Sequence, residues 1–307
     1  MIAYGLRRLA SAIPTLFVII TLAFFMMRAA PGGPFDSQRK LTPEVERNIK
    51  AAYDLDKPLW RQYVIYLGKV AHGDLGPSYK NQDFTVVQLI GTGLPVSALI
   101  GLLAMTLALL VGTTLGTLAA LHQNRWPDYS VMTAAILGIT IPSFVTAPIL
   151  TLLLGIYAGL LPVGGWNGGA WRNILLPVTV LSLPQIAIVA RMIRGSMVEV
   201  LHTNYIRTAR AKGLSTRRIV LGHALRAAIL PLISYLAPAL AGVLTGSLIV
   251  EQIFGLPGIG RYFVQGALNR DYTLVMGVVI FYGVLIIAFN LIVDVLYGVL
   301  DPKLAHR

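Results

Sequence analysis

The 307-residue chain has no cysteine, which removes disulfides, zinc–thiolate centres, iron–sulfur clusters and thiol catalysis from consideration. Charge is almost as scarce. Asp, Glu, Lys and Arg together make up 12% of the residues, against roughly 25% in a soluble domain, while hydrophobic residues reach 56%. A soluble enzyme of this length is therefore disfavoured. The signatures of nucleotide and metal chemistry are missing as well. No Gly-x4-Gly-Lys-Ser/Thr loop is present to cradle a triphosphate, and no His-Glu-x-x-His pair to hold zinc. The five histidines (72, 122, 202, 223 and 306) are scattered, and none lies inside an apolar run. That excludes a metalloprotease or a histidine-dependent serine protease working at membrane depth. No cofactor of the chain's own is expected.

What is abundant is apolar length. A membrane-spanning helix needs about 20 mainly apolar residues. Six runs qualify, near residues 9–27, 98–121, 131–157, 173–193, 229–250 and 275–298, and none alternates with the period of two of a barrel strand. The expected fold is an all-α integral membrane protein with six transmembrane helices. Pro142, Pro148, Pro177, Pro184, Pro231 and Pro238 fall within or beside these runs, which membrane helices tolerate when neighbours satisfy the freed backbone groups. Arg7 and Arg8 precede the first run as they would in a secretory signal. That run, however, exceeds the roughly 7–15 residues of a signal core and ends in Met-Arg-Ala-Ala-Pro, a poor cleavage site. An uncleaved first helix is expected.

Lysine and arginine set the orientation. With the N-terminus inside, the inner segments hold thirteen of them, eight within 191–228, and the two short outer loops hold three, Arg172, Arg261 and Arg270. Both termini are therefore expected in the cytoplasm. This asymmetry accounts for most of the net charge of +12, so a nucleic-acid partner is not expected, and contact with lipid is. The chain divides into residues 1–93 (first helix and outer loop), a five-helix block at 94–298 and a tail at 299–307. Within the outer loop, helices are expected over Thr42 to Tyr53 and over Leu59 to Val70, where apolar residues recur at helical spacing. Gly73-Asp-Leu-Gly-Pro77 then turns the chain back, giving an ordered outer cap. Ionisable residues in or near the spans are few: Asp294, Glu251, Arg191 and Arg194. Ion- or proton-coupled transport would need more. A secondary transporter or channel is the alternative from another class, but inverted repeats, its usual mark, are not evident.

The fourth loop is the informative one. Thr203 or Asn204 is placed to cap a helix, and Tyr205 to Lys212 are mostly helix formers. Gly213 occupies the position of a left-handed C′ residue, with Arg210 and Lys212 in the last turn. Ser215 or Thr216 caps a second helix leading into the fifth span. A short helix tied at both ends to spans can transmit force. Beyond it, Pro257-Gly258 forces a bend at the outer ends of the last two spans, and Trp166 and Tyr272 fit interfacial anchors.

The stretch Tyr205-Ile-Arg-Thr-Ala-Arg-Ala-Lys-Gly213-Leu, with Arg218-Ile and His223-Ala-Leu, resembles the "EAA" coupling loop of bacterial ABC importer permeases of the dipeptide/oligopeptide/nickel group. Arg207-Thr208-Ala209 stand where the general motif has Glu-Ala-Ala, and Leu225-Arg226 where it has Leu-Pro. The resemblance extends over the chain through Pro31-Gly-Gly-Pro34, Asp54-Leu-Asp-Lys-Pro-Leu59, Gly73-Asp-Leu-Gly76, Arg194-Gly-Ser-Met-Val-Glu-Val-Leu201, Glu251-Gln-Ile-Phe-Gly-Leu-Pro-Gly-Ile-Gly260 and Asn269-Arg-Asp-Tyr272. It is similar in particular to B-type oligopeptide permeases.

The resemblance implies a type I ABC importer transmembrane domain in a bacterial inner membrane, paired with a C-type permease chain. Two ATPase subunits would supply ATP and Mg from below, and a periplasmic binding protein would deliver substrate from above. Helix 204–213 would seat in an ATPase groove through Asn204, Tyr205, Arg207, Ala209, Arg210, Lys212 and Gly213. Glu251, Pro257, Gly258 and Gly260 would form a periplasmic turn. Peptides are the implied cargo, with nickel, glutathione and other small solutes carried by related permeases.

Overall fold

The computed structural model describes residues 2–29, 54–81 and 83–300. Pro31 to Pro34, the helix expected over Thr42 to Tyr53, and the tail from residue 301 lie outside them. The described part is mostly helical. Its helices are α1 (Ile2–Ala29), α2 (Leu59–Ala71), α3 (Val86–Leu121), α4 (Trp126–Thr140), α5 (Ser143–Leu150, continued as a wider π turn through Thr151–Tyr157), α6 (Trp171–Leu201), α7 (Asn204–Ala211), α8 (Thr216–Ile219), α9 (Leu230–Phe254), α10 (Ile259–Leu268) and α11 (Tyr272–Leu300). A π turn, Val220–Ala224, and a short helix, Leu225–Ala228, join α8 to α9.

Among the described residues, five helices are long and apolar enough to cross a membrane. The sixth expected span, 131–157, is not one rod: α4 and α5 meet at 105°. The cause is local. Pro142 has no N–H to continue the helix, and it holds Ile141 extended, at φ −84° and ψ 116°. Counted as one broken span, the pair completes six. Other prolines stay inside their helices, among them Pro14, Pro95, Pro177 and Pro184. At 36 residues, α3 is about 54 Å long, well beyond a hydrocarbon core of about 30 Å, and reaches past the spans at the end where α2 and α10 sit.

The helices pack on one another through small residues. Gly112 and Gly116 of α3 lie one turn apart, and a Cβ on either would fall 2.7 Å from Val189 Cβ or 2.4 Å from the Ala190 carbonyl oxygen of α6. Helices in lipid associate largely through such close backbone approach, which makes α3–α6 the spine of the molecule. Around it lie two buried clusters at opposite ends. One gathers Ala120, Ile193, Met197, Ile206, Ile219 and Val220 at the end carrying α7 and α8, the loop end. The other gathers Val86, Ile259 and Leu274 at the cap end. Helix α1 begins, and α11 finishes, at the loop end.

Candidate functional site

At the loop end, α6 stops at Leu201 and the chain turns through Thr203 into α7. Thr203 has the extended backbone of an N-cap, but its hydroxyl donates back to the Val200 carbonyl at 2.6 Å and makes no cap bond; Ser215 makes none either. What fixes α7 is burial and its C-terminus. Ile206 is fully buried against the ends of α3 and α6, and Ala209 is half-buried beside it. Gly213 has φ +78°. Its N–H donates to the Arg210 carbonyl at 2.9 Å and the Leu214 N–H to the Ala209 carbonyl at 3.3 Å. That pair of bonds is a Schellman turn, closing the helix and reversing the chain into α8.

Asn204, Tyr205, Arg207, Arg210 and Lys212 all face outward. With Arg217 and Arg218, also exposed, they form a cationic surface with no acidic residue between 204 and 228. None of these cations pairs with another described residue. The sequence expectation of a helix–glycine–helix unit tied to two spans holds, with α7 ending at Ala211 rather than 213. Arg226 lies in the short helix before α9, and a Leu-Pro pair does follow at Leu230-Pro231, where proline occupies the first turn of α9. The intervening π turn holds one residue more per turn than an α-helix.

One ion pair braces this end. Arg194 of α6 clasps Asp128 in the first turn of α4, Nε to Oδ1 at 3.0 Å and the terminal nitrogen to Oδ2 at 2.7 Å. Asp128 is 2% exposed and also accepts the Asn124 N–H at 2.9 Å. The sequence singled out Arg194 but not its partner.

The predicted outer turn lies at the cap end and is built around a buried acid. Gly255, left-handed at φ +64°, ends α9. Glu251, fully buried, then accepts Ser247 Oγ at 2.8 Å on one oxygen and the Gly260 N–H at 2.7 Å on the other. Its carboxylate thereby caps the N-terminus of α10. Ser97 of α3 accepts the Ile259 N–H at 2.9 Å, binding a third helix to the same knot. A Cβ at Gly258 would lie 2.2 Å from Glu251 Oε2, and one at Gly260 would lie 2.4 Å from the Leu248 Cα. Pro257 supplies the bend, and the acid supplies the lock. Tyr272, at the start of α11, is buried, and Trp166 is half-buried against the core. Beside Tyr272, Asp271 accepts Ser78 Oγ and the Lys80 and Leu274 N–H groups, tying the cap loop to the start of α11. Among the described residues no cluster of three or more His, Asp or Glu could hold a metal ion.

Residues 112–306 match the family model described as "Binding-protein-dependent transport system inner membrane component", and residues 1–98 match the N-terminal model of the same system's membrane component. The chain belongs to this family of inner membrane permeases. Its relatives include the oligopeptide transport system permease protein OppB of Haemophilus influenzae, 53% identical over 307 residues, and that of Escherichia coli, 55% identical over 306, each covered end to end by the chain. The dipeptide transport system permease protein DppB of Bacillus subtilis is 41% identical, over 99% of this chain and 98% of its own. The expected resemblance is thereby borne out, as is a multi-pass place in the bacterial inner membrane.

Proposed function

We propose that this chain is the permease subunit of an ATP-driven importer that moves peptides inward, and that it has no ATPase site of its own. Identity above 50% to oligopeptide permeases supports the cargo. The cap end then faces the periplasm, where a binding protein delivers substrate, and the loop end, with both termini, faces the cytoplasm. A second permease chain would complete the pathway.

The observation that carries the coupling role is the geometry of α7. It is rigid where it meets the protein, through Ile206 and the Schellman turn, and cationic where it does not. A docked ATPase subunit pushing on its exposed face moves α6, joined to α7 by a short turn, and α9, joined to it through α8, the π turn and the short helix Leu225–Ala228. ATP and Mg belong to that partner. The test is mild-detergent purification of the tagged chain from its host, alongside uptake of a labelled tripeptide by cells with and without it. Retention of a second permease and a P-loop ATPase, with uptake lost in the deletion strain, is the expected result. A chain recovered alone, with uptake unchanged in its absence, would refute it.

A further inference from the structure

The cap end contains a feature that transport coupling does not use. A cavity of about 250 Å³ lies between the last turns of α1, the cap helix α2, the loop around Gly76 and Pro77, and the start of α11. Three polar atoms on its lining residues are buried without a hydrogen-bond partner: Arg28 Nε, Gln62 Oε1 and the Tyr66 hydroxyl. Gln62 and Tyr66 are each only 9% exposed. Buried polar groups in native proteins are nearly always partnered, since leaving one bare forfeits its hydration with no return. Three such atoms around one cavity are a constellation waiting for a polar occupant.

The groups are also held in place. Tyr66 packs against Phe24, ring centroids 5.7 Å apart, and the neighbouring Tyr63 shares a 2.6 Å hydrogen bond with Thr21, so α2 is clamped to α1. Gln62 Nε2 donates to the carbonyls of Lys57 at 2.8 Å and Leu55 at 3.3 Å, which leaves Oε1 as the free end of the amide. The Arg28 guanidinium lies 5.4 Å from the Phe24 ring centre and 5.9 Å from that of Tyr272. Burial pushes the Tyr66 phenol's pKa up, so it stays protonated and can donate. The unpartnered set is therefore two donors, one of them cationic, and one acceptor; the lining also carries Asp54, whose carboxylate is already paired with Lys57 and Lys69, so it does not set an unopposed negative charge against an anion.

We propose that this cavity binds a free α-carboxylate with its adjacent N–H, the chemistry shared by a free amino acid and the C-terminal end of a small peptide. Arg28 and Tyr66 donate to the carboxylate, and Gln62 accepts from the N–H. The volume falls just below the roughly 300–1,000 Å³ of drug-sized pockets, which suits one or two residues. A peptide as occupant rests on the importer reading, in which a solute reaching the permease meets the cap end first.

The test uses the full chain with its co-purified subunits in lipid nanodiscs, without a binding protein, titrated calorimetrically with Ala-Ala, Ala-Ala amide and alanine. Saturable binding of Ala-Ala is expected, weakened at least about tenfold by amidation and by Tyr66→Phe, which removes one hydrogen bond to a charged group. Because Tyr66→Phe deletes a buried hydroxyl that has no partner in the fold, its melting temperature should equal or exceed the parent's; Arg28→Lys is a second variant with the same expected loss of binding. Alanine binding as tightly as Ala-Ala assigns the site to amino acids, and alanine failing to bind assigns it to peptide ends. No saturable binding of Ala-Ala or alanine, binding indifferent to amidation and to both variants, or a co-purified phospholipid that Ala-Ala does not displace would overturn the proposal. Tripeptide uptake by the parent complex is scored separately. Uptake without Ala-Ala or alanine binding refutes the site alone, whereas carboxylate binding without uptake refutes the importer reading alone.

Discussion

Replacing Gly213 isolates the proposed coupling turn from the rest of the fold. A Cβ built at this position meets nothing within 4 Å, so side-chain volume should not matter. Only the backbone does: at φ +78° an L-residue with a Cβ loses roughly 1–2 kcal/mol, least for Asn and Asp and most for β-branched residues. The turn is held by two backbone hydrogen bonds, to Arg210 and Ala209, each worth about 1 kcal/mol net. The penalty for valine is thus comparable to what holds the turn together, whereas the penalty for asparagine is a fraction of it. Gly213→Asn should keep most of the uptake, Gly213→Ala should lose several-fold, and Gly213→Val should abolish it. All three should reach the membrane in normal amounts, because Ile206 still anchors α7. Labelled-peptide uptake normalised to immunoblotted permease reads this series. Uptake that falls with side-chain size instead, with asparagine worse than alanine, would refute the backbone argument, and unchanged uptake in Gly213→Val would refute the role of the turn.

At Gly260 the added methyl has nowhere to go, since the Leu248 Cα lies 2.4 Å from it. Gly260→Ala should therefore lower the melting temperature, by overpacking worth about 1–3 kcal/mol; a melting temperature equal to the parent's would contradict the Glu251 knot. Arg194→Met leaves Asp128 buried and unpaired, a loss of about 3–5 kcal/mol, whereas Arg194→Met with Asp128→Leu should recover most of it. Melting of the detergent-solubilised chain by intrinsic fluorescence distinguishes the two, and a double variant no better than the single would count against the ion pair as the brace.

The spans were legible because burial in lipid selects for apolar length, and five of the six runs match single helices to within a turn or so at most ends. The start of α1 and the end of α6 extend about two turns beyond their runs, and the start of α3 departs furthest. Helix α3 starts at Val86, because Thr85 and Gln88 form a capping box ahead of the apolar run. The broken span was not legible for a different reason. Pro142 ends a helix while Pro148 and Pro184 sit inside theirs, and composition cannot say which proline finds neighbours to cover its missing bond. Gly213 was readable because a left-handed terminus selects for glycine locally. The Arg194–Asp128 pair was not, since 66 residues separate its members and Asp128 falls just outside the apolar run. Glu251 was singled out, but its role depends on Gly260 and on Ser97 of another helix, which come together only in the fold. Burial of Tyr272 likewise follows from the cap folding over it, a tertiary effect that an aromatic at a span end does not announce.

If α7 is the surface on which an ATPase acts, a crosslinker placed on it should reach that subunit, and the chain's lack of cysteine allows a clean measurement. A single cysteine placed at Tyr205 or Arg210, both exposed on α7, is unique on the chain and can carry a photo-crosslinker in native membranes. A control at Trp60, 67% exposed on the cap helix, sits at the opposite end. Tyr205→Cys and Arg210→Cys should capture a P-loop ATPase subunit, and Trp60→Cys should not. Capture of the ATPase from Trp60 alone, or only lipid adducts from α7, would contradict this role for the helix.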